Sequence, residues 1–321
     1  MDVTFQSILH TVINPLVPLF FNMSEAFKPA QSFGSYKPPI TKAPRKRKSE
    51  SLVDGGKVEN FYAIMNTEKK YQTEECHYDN EEVIQIKIPF MMSISGKTGS
   101  GKTNCIMDIV KKINCWEKIF LCARDPTEPL YQWFQDKIQE VEKKTGMRIL
   151  TVIDDVAKLP DVDDFMAKRD QKNPIQMLFI FDDLITEKDK LLKRVEKYFI
   201  KGRKVFASCA FLSQSYYAIP KTIRKNCGYI ILKQISQITD LKRILADYKD
   251  IGISFEKLYD LYKTAIDSDP FNFFMIDLIT KDSDLRFRIN YKGISPSEWQ
   301  EDFTSQSSSS SSSYSKDEQH K

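Results

Sequence analysis

The stretch Gly96-Lys97-Thr98-Gly99-Ser100-Gly101-Lys102-Thr103 fits the pattern GxxxxGK followed by Ser or Thr at every fixed position. Glycines in such a loop adopt backbone angles closed to other residues, so that successive N–H groups point at a bound phosphate. Lys102 would bring a positive charge to the β- and γ-phosphates, and the hydroxyl of Thr103 would complete the shell of a magnesium ion. Residues 96–103 therefore predict a P-loop that binds ATP with Mg²⁺. The alternative is a glycine-rich turn without a ligand.

The residues on either side of this loop supply the context that a P-loop requires. An apolar run over Val83–Ser95 precedes it, and Ile106, Ile109, Val110 and Ile113 follow it at helical spacing. Further β-rich apolar runs predict strands at Lys118–Cys122, Arg148–Ile153, Gln176–Phe181, Val205–Leu212 and Tyr229–Leu232. Helical patterns between several of these runs are typical of βαβ units. The chain thus predicts an α/β fold with a mostly parallel central sheet flanked by helices.

The C-terminal part of this region departs from the βαβ pattern. Amphipathic helices are predicted at Ile238–Tyr248 and Phe255–Ile266, and strands at Phe273–Ile279 and Leu285–Tyr291. Because the two strands flank the short polar segment Lys281–Asp284, they predict a C-terminal β-hairpin.

Two acidic residues follow the predicted strand at Gln176–Phe181. A P-loop requires a carboxylate on a neighbouring strand to hold the metal, which is the Walker B arrangement. Asp182 is predicted to face the magnesium ion, and Asp183 to accept a proton from the attacking water. Without the P-loop, the same residues would more often be a strand that runs into a turn.

Three further side chains are candidates for sensing or stabilising the γ-phosphate. Gln214 follows the strand Val205–Leu212, and ligands bind at the carboxyl edge of open α/β sheets, so its amide is predicted to orient the attacking water. The alternative is a polar cap at the strand end. Arg203 and Arg224 are each a candidate arginine finger for a neighbouring subunit's ATP, and equally a candidate surface or DNA-contacting residue.

Basic residues crowd the segment between Asp183 and Gln214. They are Lys188, Lys190, Lys193, Arg194, Lys197, Lys201, Arg203 and Lys204. Apolar residues fall at helical spacing among them, so the charges are predicted to lie away from an apolar stripe. Such a surface is either an ordinary solvated helix face or one that binds DNA phosphates independently of sequence.

Composition sets broader limits on the class of protein. The 48 Lys and Arg against 44 Asp and Glu leave a net charge of +4, which does not by itself indicate a nucleic-acid partner. The six cysteines include no CxxC pair and predict reduced thiols in an intracellular protein. The longest apolar stretch, Ile8–Met23, is interrupted by prolines and is too short for a membrane span. A start at Met23 would remove this stretch.

Segments of biased composition frame the folded region. Residues 1–57 predict a flexible N-terminal segment, and its basic cluster Pro44–Lys48 is a nuclear address, a phosphate-binding arm or a solvated charge run. Residues 304–321 predict a disordered tail, because the serine run Ser307–Ser313 cannot bury enough surface to fold. The ATPase domain is therefore expected at residues 58–303.

In combination, these motifs resemble the genome-packaging ATPases of the FtsK/HerA superfamily found in poxviruses, other large DNA viruses and virophages. The likeness runs from about Pro89 to Tyr291. Its carriers are the GKTGSGKT loop, Phe181-Asp182-Asp183-Leu184, Gly202-Arg203, Leu212-Ser213-Gln214-Ser215-Tyr216 and Ile219–Asn226. The resemblance implies a RecA-like domain that assembles as a ring, a hexamer, and couples ATP hydrolysis to the translocation of double-stranded DNA. It gives Lys102, Thr103, Asp182, Asp183 and Gln214 the roles described above.

Two positions depart from the family pattern. Much of the wider superfamily has Glu where this chain has Asp183, and a side chain one methylene shorter has less reach to the water. Many relatives have His where this chain has Lys204, which weakens the assignment of the Gly202-Arg203 step.

The expected function is an ATPase that moves viral DNA into a capsid. Its expected partners are double-stranded DNA, other copies of the chain and viral capsid proteins, and no membrane span is expected. It would act inside an infected host cell, in a cytoplasmic virus factory or the nucleus, or in association with the virion. Two alternatives remain open. One is a small-molecule phosphotransferase, for which the sequence offers no evident arginine-rich lid or acceptor pocket, and the other is a nucleotide-binding scaffold without turnover.

Overall fold

A nine-stranded mixed sheet forms the centre of the protein, with strand order β3-β2-β4-β5-β1-β6-β7-β8-β9. The computed structural model describes residues 76–248 and 253–295, together with Met65 and Thr67. The strands are Met91–Ser95 (β1), Lys118–Ala123 (β2), Leu150–Ile153 (β3), Met177–Asp182 (β4), Ala207–Ser213 (β5), Tyr229–Leu232 (β6), Phe274–Asp277 (β7), Phe287–Ile289 (β8) and Lys292–Gly293 (β9). All of these strands belong to one of the chain's two compact units. In the other unit, residues 13–73, only Met65 and Thr67 are described.

Helices connect most of the parallel strands. They are Glu81–Ile84 (α1), Lys102–Lys112 (α2), Pro129–Thr145 (α3), Val162–Lys168 (α4), Asp189–Lys201 (α5), Lys221–Asn226 (α6), Ile238–Tyr248 (α7) and Phe255–Ser268 (α8). Short 3₁₀ turns lie at Val156–Lys158, Leu184–Thr186, Gly202–Val205, Tyr216–Ala218 and Ser283–Leu285. The predicted N-terminal segment 1–57, including Ile8–Met23 and Pro44–Lys48, and the predicted tail 304–321 lie outside the described residues.

The register of the parallel strands brings the predicted site residues to one edge of the sheet. β5 lies between β1 and β4, with Ser95 opposite Ser213 and Asp182 opposite Leu212. Parallel strands point their carboxyl ends in the same direction, so the segments that follow β1, β4 and β5 converge. The P-loop, the acidic pair and Gln214 leave the sheet at this edge.

Burial explains why these strands read as continuous apolar runs. Every residue of β1 and of β5 is buried, as expected for parallel strands that are covered on both faces. The predicted apolar face of α2 is also buried: Ile106, Ile109 and Ile113 have no exposed surface. The predicted α/β class, with its mostly parallel sheet, flanking helices and C-terminal hairpin, is confirmed.

Several predicted strand boundaries are wrong, most plainly the starts of the first and the fifth predicted strands. The run Val83–Ser95 contains the end of α1 and an irregular segment before the strand begins at Met91. Pro89 lacks an N–H and cannot donate to a sheet ladder, so the strand begins only after it. Val205 belongs to the 3₁₀ turn Gly202–Val205, and β5 begins at Ala207.

The C-terminal hairpin has a longer connection than predicted. Its two strands, β7 and β8, pair antiparallel, with Phe274 opposite Ile289, and residues 278–286 join them. The short strand β9 extends the sheet further and was not predicted from the sequence.

A buried ion pair lies within the hairpin, and its arginine also contacts the rest of the domain. The side chains of Arg288 on β8 and Asp277 on β7 are 0% and 2% exposed, and the guanidinium donates to the carboxylate. Arg288 also donates to the carbonyls of Ile84 and Gln85, at 3.1 Å each, and to that of Leu285 at 3.0 Å. One side chain therefore links β7, β8, the hairpin connection and the end of α1.

Two further expectations concern the state of the cysteines and the presence of a membrane span. All six cysteines are free thiols, and Cys105, Cys122, Cys209 and Cys227 are buried. Within the described residues, no helix has the length and apolar character needed to cross a lipid bilayer.

Candidate functional site

The P-loop has the backbone conformation that its glycines permit. Gly99 and Gly101 have φ values of +74° and +82°, in the left-handed region that favours glycine, and Gly101 caps the N-terminus of α2. A helix N-terminus that carries such a loop directs free N–H groups and the positive end of the helix dipole at an anion. The local backbone therefore suits the binding of phosphate.

Lys102 lies over this loop as the first residue of α2. Its Nζ donates to the carbonyl of Gly96 at 3.0 Å and to that of Lys97 at 3.2 Å. Burial lowers the pKa of the Lys102 ammonium, while the nearby carboxylates of Asp182, Asp183 and Glu128 oppose that shift, in decreasing order. The lysine thus brings a partly desolvated positive charge to a position that faces three acidic groups.

Asp182 ends β4 and faces the loop. The hydroxyl of Tyr131, a buried residue of α3, donates to its Oδ2 at 2.7 Å. Burial raises the pKa of the Asp182 carboxyl to about 6, against the opposing effects of the Tyr131 hydrogen bond and of Lys102, with smaller upward contributions from Glu128 and Asp183. Burial makes ionisation of the Asp182 carboxyl unfavourable in the free protein. A cation that binds beside it would stabilise its charged form.

Asp183 follows directly, in an unusual backbone conformation. Its φ and ψ are 55° and 36°, in the left-handed region, which Asp and Asn visit more readily than other non-glycine residues. Its N–H donates to the carbonyl of Leu212 on β5 at 3.2 Å. This turn sends the Asp183 side chain into the same cleft as Asp182 and Gln214.

These groups line one cleft of about 650 Å³ at the carboxyl edge of the sheet. Its predicted members are Thr98, Gly99, Gly101, Lys102, Thr103, Asp182, Asp183 and Gln214. Gly96, Lys97 and Ser100 belong to the loop but do not line the cleft. Ser100 is buried beneath the loop, and its hydroxyl has no hydrogen-bond partner within the described residues.

The donor set of the cleft fits a magnesium nucleotide. The hydroxyl of Thr103 lies 3.5 Å from Oε2 of Glu128, and the Asp182 carboxylate lines the same cleft. Hydroxyl and carboxylate oxygens are the ligands that Mg²⁺ takes from P-loop proteins, and the cationic Lys102 with its glycine backbone suits the phosphates. Thr103 and Asp182 are therefore the residues that would hold the metal.

Several residues in or under the cleft were not predicted from the sequence. Among them are Arg124, Glu128, Tyr131 and Lys233. Arg124 directly follows β2, and its guanidinium donates to the hydroxyl of Thr186 at 3.1 Å. A search of every strand end would have found it, because β2 lies beside β4 and shares its direction. Glu128, at the N-terminus of α3, and Tyr131 carry no comparable signal.

Arg203 and Arg224 do not line this cleft. Arg203 precedes β5, at the end of the sheet opposite the P-loop, and donates to the carbonyl of Asn226 at 3.4 Å. Arg224 donates through Nε to the carbonyl of Ile219 at 3.1 Å and lies over the rings of Tyr216 and Tyr217. Neither arginine lines the predicted phosphate cleft of its own chain, and a role at a neighbour's site stays a prediction.

The basic segment divides into two groups. Arg194, Lys197 and Lys201 are used within the fold, because Arg194 donates to carbonyls of residues 157 and 159, and the lysines pair with Asp161 and Asp163. The other residues are exposed: Lys188, Lys190 and Lys193 around the N-terminal half of α5, and Arg203 and Lys204 beyond its end. Only the first exposed group lies toward the carboxyl edge of β4.

The burial of Asp182 predicts a pH-dependent effect on stability. Its pKa is raised on folding, so its ionisation destabilises the free fold: the penalty is absent below the unfolded pKa near 4, grows between about 4 and about 6, and is complete above. Asp182→Asn, whose amide oxygen still accepts from Tyr131, should therefore raise the free energy of unfolding by about 1–3 kcal/mol at pH 8 and progressively less toward pH 4.

Urea unfolding at several pH values, without nucleotide or metal, measures this effect. Asp260→Asn is the matched control, because Asp260 is an exposed carboxylate on α8. An Asp182→Asn variant that is less stable than the parent at pH 8 would show that the hydrogen bond and the charge of Lys102 outweigh burial.

Comparison with known protein families shows the family of this chain. The family model described as Poxvirus A32 protein matches residues 75–263, which is more than half of the 321 residues. That span contains the P-loop, the acidic pair, Gln214 and both candidate arginines. A comparison with curated protein sequences found no significant match.

Solved structures give more distant similarities. The genome packaging NTPase B204 from Sulfolobus turreted icosahedral virus 2, in complex with sulfate, is 14% identical, with 62% of this chain and 95% of that chain covered and a TM-score of 0.41. The cytoplasmic domain of the Thermomonospora curvata Type VII secretion ATPase EccC is 13% identical, with 64% of this chain and 25% of that chain covered and a TM-score of 0.41. At these TM-scores the similarity is too distant to carry a function.

Proposed function

Because the chain belongs to the Poxvirus A32 protein family and is an ATPase, we propose that it uses ATP hydrolysis to move double-stranded DNA into a viral capsid. The family membership confirms the resemblance expected from the sequence. The observation that carries the ATPase chemistry is the cleft itself, where a P-loop lysine faces two consecutive aspartates and Gln214 across neighbouring strands. The protein would act inside the infected host cell.

Binding of ATP is assigned to the loop of residues 96–103. The N–H groups around Gly99 and Gly101 and the N-terminus of α2 would surround the β-phosphate, and Lys102 would exchange its two carbonyl contacts for phosphate oxygens. When bound at Thr103 and Asp182, Mg²⁺ would neutralise part of the charge on the phosphate chain.

Hydrolysis is assigned to Asp183 and Gln214, which line the cleft beyond the P-loop. The Gln214 amide would orient a water molecule toward the γ-phosphorus. As the oxygen–phosphorus bond to this water forms, the bond between the γ-phosphorus and the β,γ-bridging oxygen breaks, and Asp183 takes the proton. The products are ADP and inorganic phosphate.

Assembly as a ring, with hexameric stoichiometry, accounts for the placement of the arginines. Both Arg203 and Arg224 lie outside their own subunit's cleft and inside the span matched by the family. In a ring, either could reach the ATP of the next subunit and stabilise the negative charge that develops during phosphoryl transfer. Arg124, by contrast, lines the cleft of its own chain, so it could contact the phosphates of bound ATP without a neighbouring subunit.

Contact with DNA is assigned to Lys188, Lys190 and Lys193. These side chains are exposed, begin just after the acidic pair and lie on or beside the N-terminal half of α5. Movement of the Asp182–Asp183 turn during hydrolysis would therefore be transmitted to them over a short length of chain. Lysines bind the DNA backbone as point charges, without sequence preference.

DNA-dependent ATP hydrolysis tests this proposal. Double-stranded DNA should raise the steady-state rate of ATP hydrolysis. The DNA concentration that gives half of the maximal stimulation should rise steeply between about 50 and about 200 mM salt. Replacing Lys188, Lys190 and Lys193 together with Glu should reduce the slope of log affinity against log salt by about 3, since each lost phosphate contact removes roughly one unit.

For each variant, the rate of ATP hydrolysis with DNA is divided by its rate without DNA. This ratio corrects for differences in basal activity between variants. Lys143→Glu with Lys144→Glu is the matched control, because these exposed lysines end α3 away from the cleft. Turnover indifferent to DNA would overturn the translocase and favour a phosphotransferase. Nucleotide binding without turnover would favour a scaffold.

A further inference from the structure

The order of the strands determines how a bound nucleotide would be oriented along the edge of the sheet. The acidic pair and Gln214 follow β4 and β5, on one side of the P-loop strand β1, and β6 and β7 lie on its other side. The γ-phosphate must face the acidic pair if it is hydrolysed there. The α-phosphate and nucleoside must then leave the P-loop toward β6 and β7.

An unassigned cleft of about 900 Å³ lies on that side, between α2 and the C-terminal hairpin. Its lining includes Asn104, Asp108, Phe271, Asn272 and Tyr291, and Asn104 also lines the phosphate cleft, so the two spaces adjoin. Phe271 is 65% exposed, so its ring is accessible to a ligand in the cleft. We infer that this cleft binds the nucleoside of ATP and that the base stacks on Phe271.

The position of Phe271 relative to the P-loop is fixed by Lys233. This lysine is 1% exposed, and its Nζ donates to the carbonyls of Pro270, at 3.0 Å, and Asn272, at 2.6 Å, on either side of Phe271. Its side chain also lies beneath the P-loop, since a Cβ at Gly101 would be 3.7 Å from Nζ. One buried ammonium therefore joins the segment that presents the ring to the loop that holds the phosphates.

The polar groups in the wall of the cleft are largely paired with one another. The Asp108 carboxylate accepts from the Tyr291 hydroxyl at 2.8 Å and pairs with Lys112 at 2.6 Å, so Phe271 is the group that offers a base its surface. A flat aromatic ring offers a stacking surface to any base, and a purine covers more of it than a pyrimidine. The inferred subsite therefore selects for a purine nucleoside without requiring adenine.

A second groove is the competing location. It is an apolar space of about 550 Å³ between α2 and α3, and its exposed Trp133 would also stack on a base. α3 follows β2, which pairs with β4, so this groove lies on the acidic-pair side of the P-loop. A nucleoside there would place the γ-phosphate away from Asp183, against the direction set by the strands.

Direct binding measurements test the inference, which rests on the proposed function only in taking ATP as the ligand. Dissociation constants would be measured by calorimetry for ATP and for inorganic tripolyphosphate, each with magnesium and without DNA. Phe271→Ala should weaken ATP binding about tenfold and leave tripolyphosphate within about twofold, because only ATP carries a base to stack. Phe271→Tyr should retain ATP affinity, and Trp133→Ala should change neither.

Two outcomes would overturn the inference. Equal weakening of both ligands by Phe271→Ala would mean that the ring shapes the P-loop and does not touch the base. Loss of ATP affinity in Trp133→Ala, with Phe271→Ala unchanged, would place the nucleoside in the groove between α2 and α3. Since DNA is absent from the assay, failure of DNA translocation leaves the result unaffected, and failure here leaves the DNA proposal standing.

Discussion

Lys102→Ala is expected to reduce kcat/KM for ATP hydrolysis by about a hundredfold to a thousandfold, or to below detection. Its ammonium faces Asp182, Asp183 and Glu128, and without it Arg124 would be the remaining cation among the residues that line the cleft. Loss of a preorganised charge that neutralises the transferring phosphate raises the barrier to the chemical step. Steady-state phosphate release with saturating magnesium measures the change.

Lys111→Ala is the matched control for this variant, because Lys111 is an exposed lysine near the other end of the same helix. Thermal unfolding of both variants shows whether the fold is retained. A folded Lys102→Ala protein with parental kcat/KM would exclude the P-loop as the hydrolytic site, and with it the assignment of Asp183 and Gln214.

The largest effect on stability is expected from Arg288→Met. The methionine approximates the length of the aliphatic part of the side chain but leaves the Asp277 carboxylate buried without its cation, together with the carbonyls of Ile84, Gln85 and Leu285. Breaking a buried ion pair by removing one partner costs about 3–5 kcal/mol, which is a large share of the stability of a typical domain. Urea unfolding at pH 7 measures the loss.

A double-mutant cycle separates the ion pair from the other contacts. Asp277→Asn removes the charge, while its amide oxygen still accepts from the N–H groups of Ile279 and Thr280. The Arg288→Met, Asp277→Asn double variant should be less destabilised than the sum of the two single variants. Additive losses would show that Arg288 stabilises the hairpin only through its carbonyl contacts.

The convergence of the phosphate-facing residues could be predicted from the sequence, because it follows from strand direction. A polar residue immediately after a buried parallel strand lies at the carboxyl edge, and Asp182 and Gln214 both meet that condition. The roles of Asp183 and Gln214 in hydrolysis stay predictions, as do those of Arg203 and Arg224. The location of Asp182 and Gln214 at this edge could be predicted without knowing how the helices pack on the sheet.

The groups that support the cleft could not be predicted in this way. Tyr131 reaches Asp182 from the first turn of α3, and Lys233 reaches the loop around Phe271 across a separation of almost forty residues. Both contacts depend on how helices and loops pack on the sheet. Strand direction places Lys233 at the carboxyl edge, because it directly follows β6, but it does not reveal the contact with the loop around Phe271. The division of the basic segment between internal ion pairs and exposed lysines has the same origin.

The left-handed backbone at Asp183 limits which residues this position can accept. A non-glycine residue held there stores strain, and Asp and Asn tolerate it best because their short side chains can bond locally. Aspartate at this position is compatible with the left-handed conformation. If an inactive form is wanted to hold bound nucleotide for imaging, Asp183→Asn should preserve both the left-handed turn and the shape of the side chain, whereas alanine or glutamine at this position should disturb the turn.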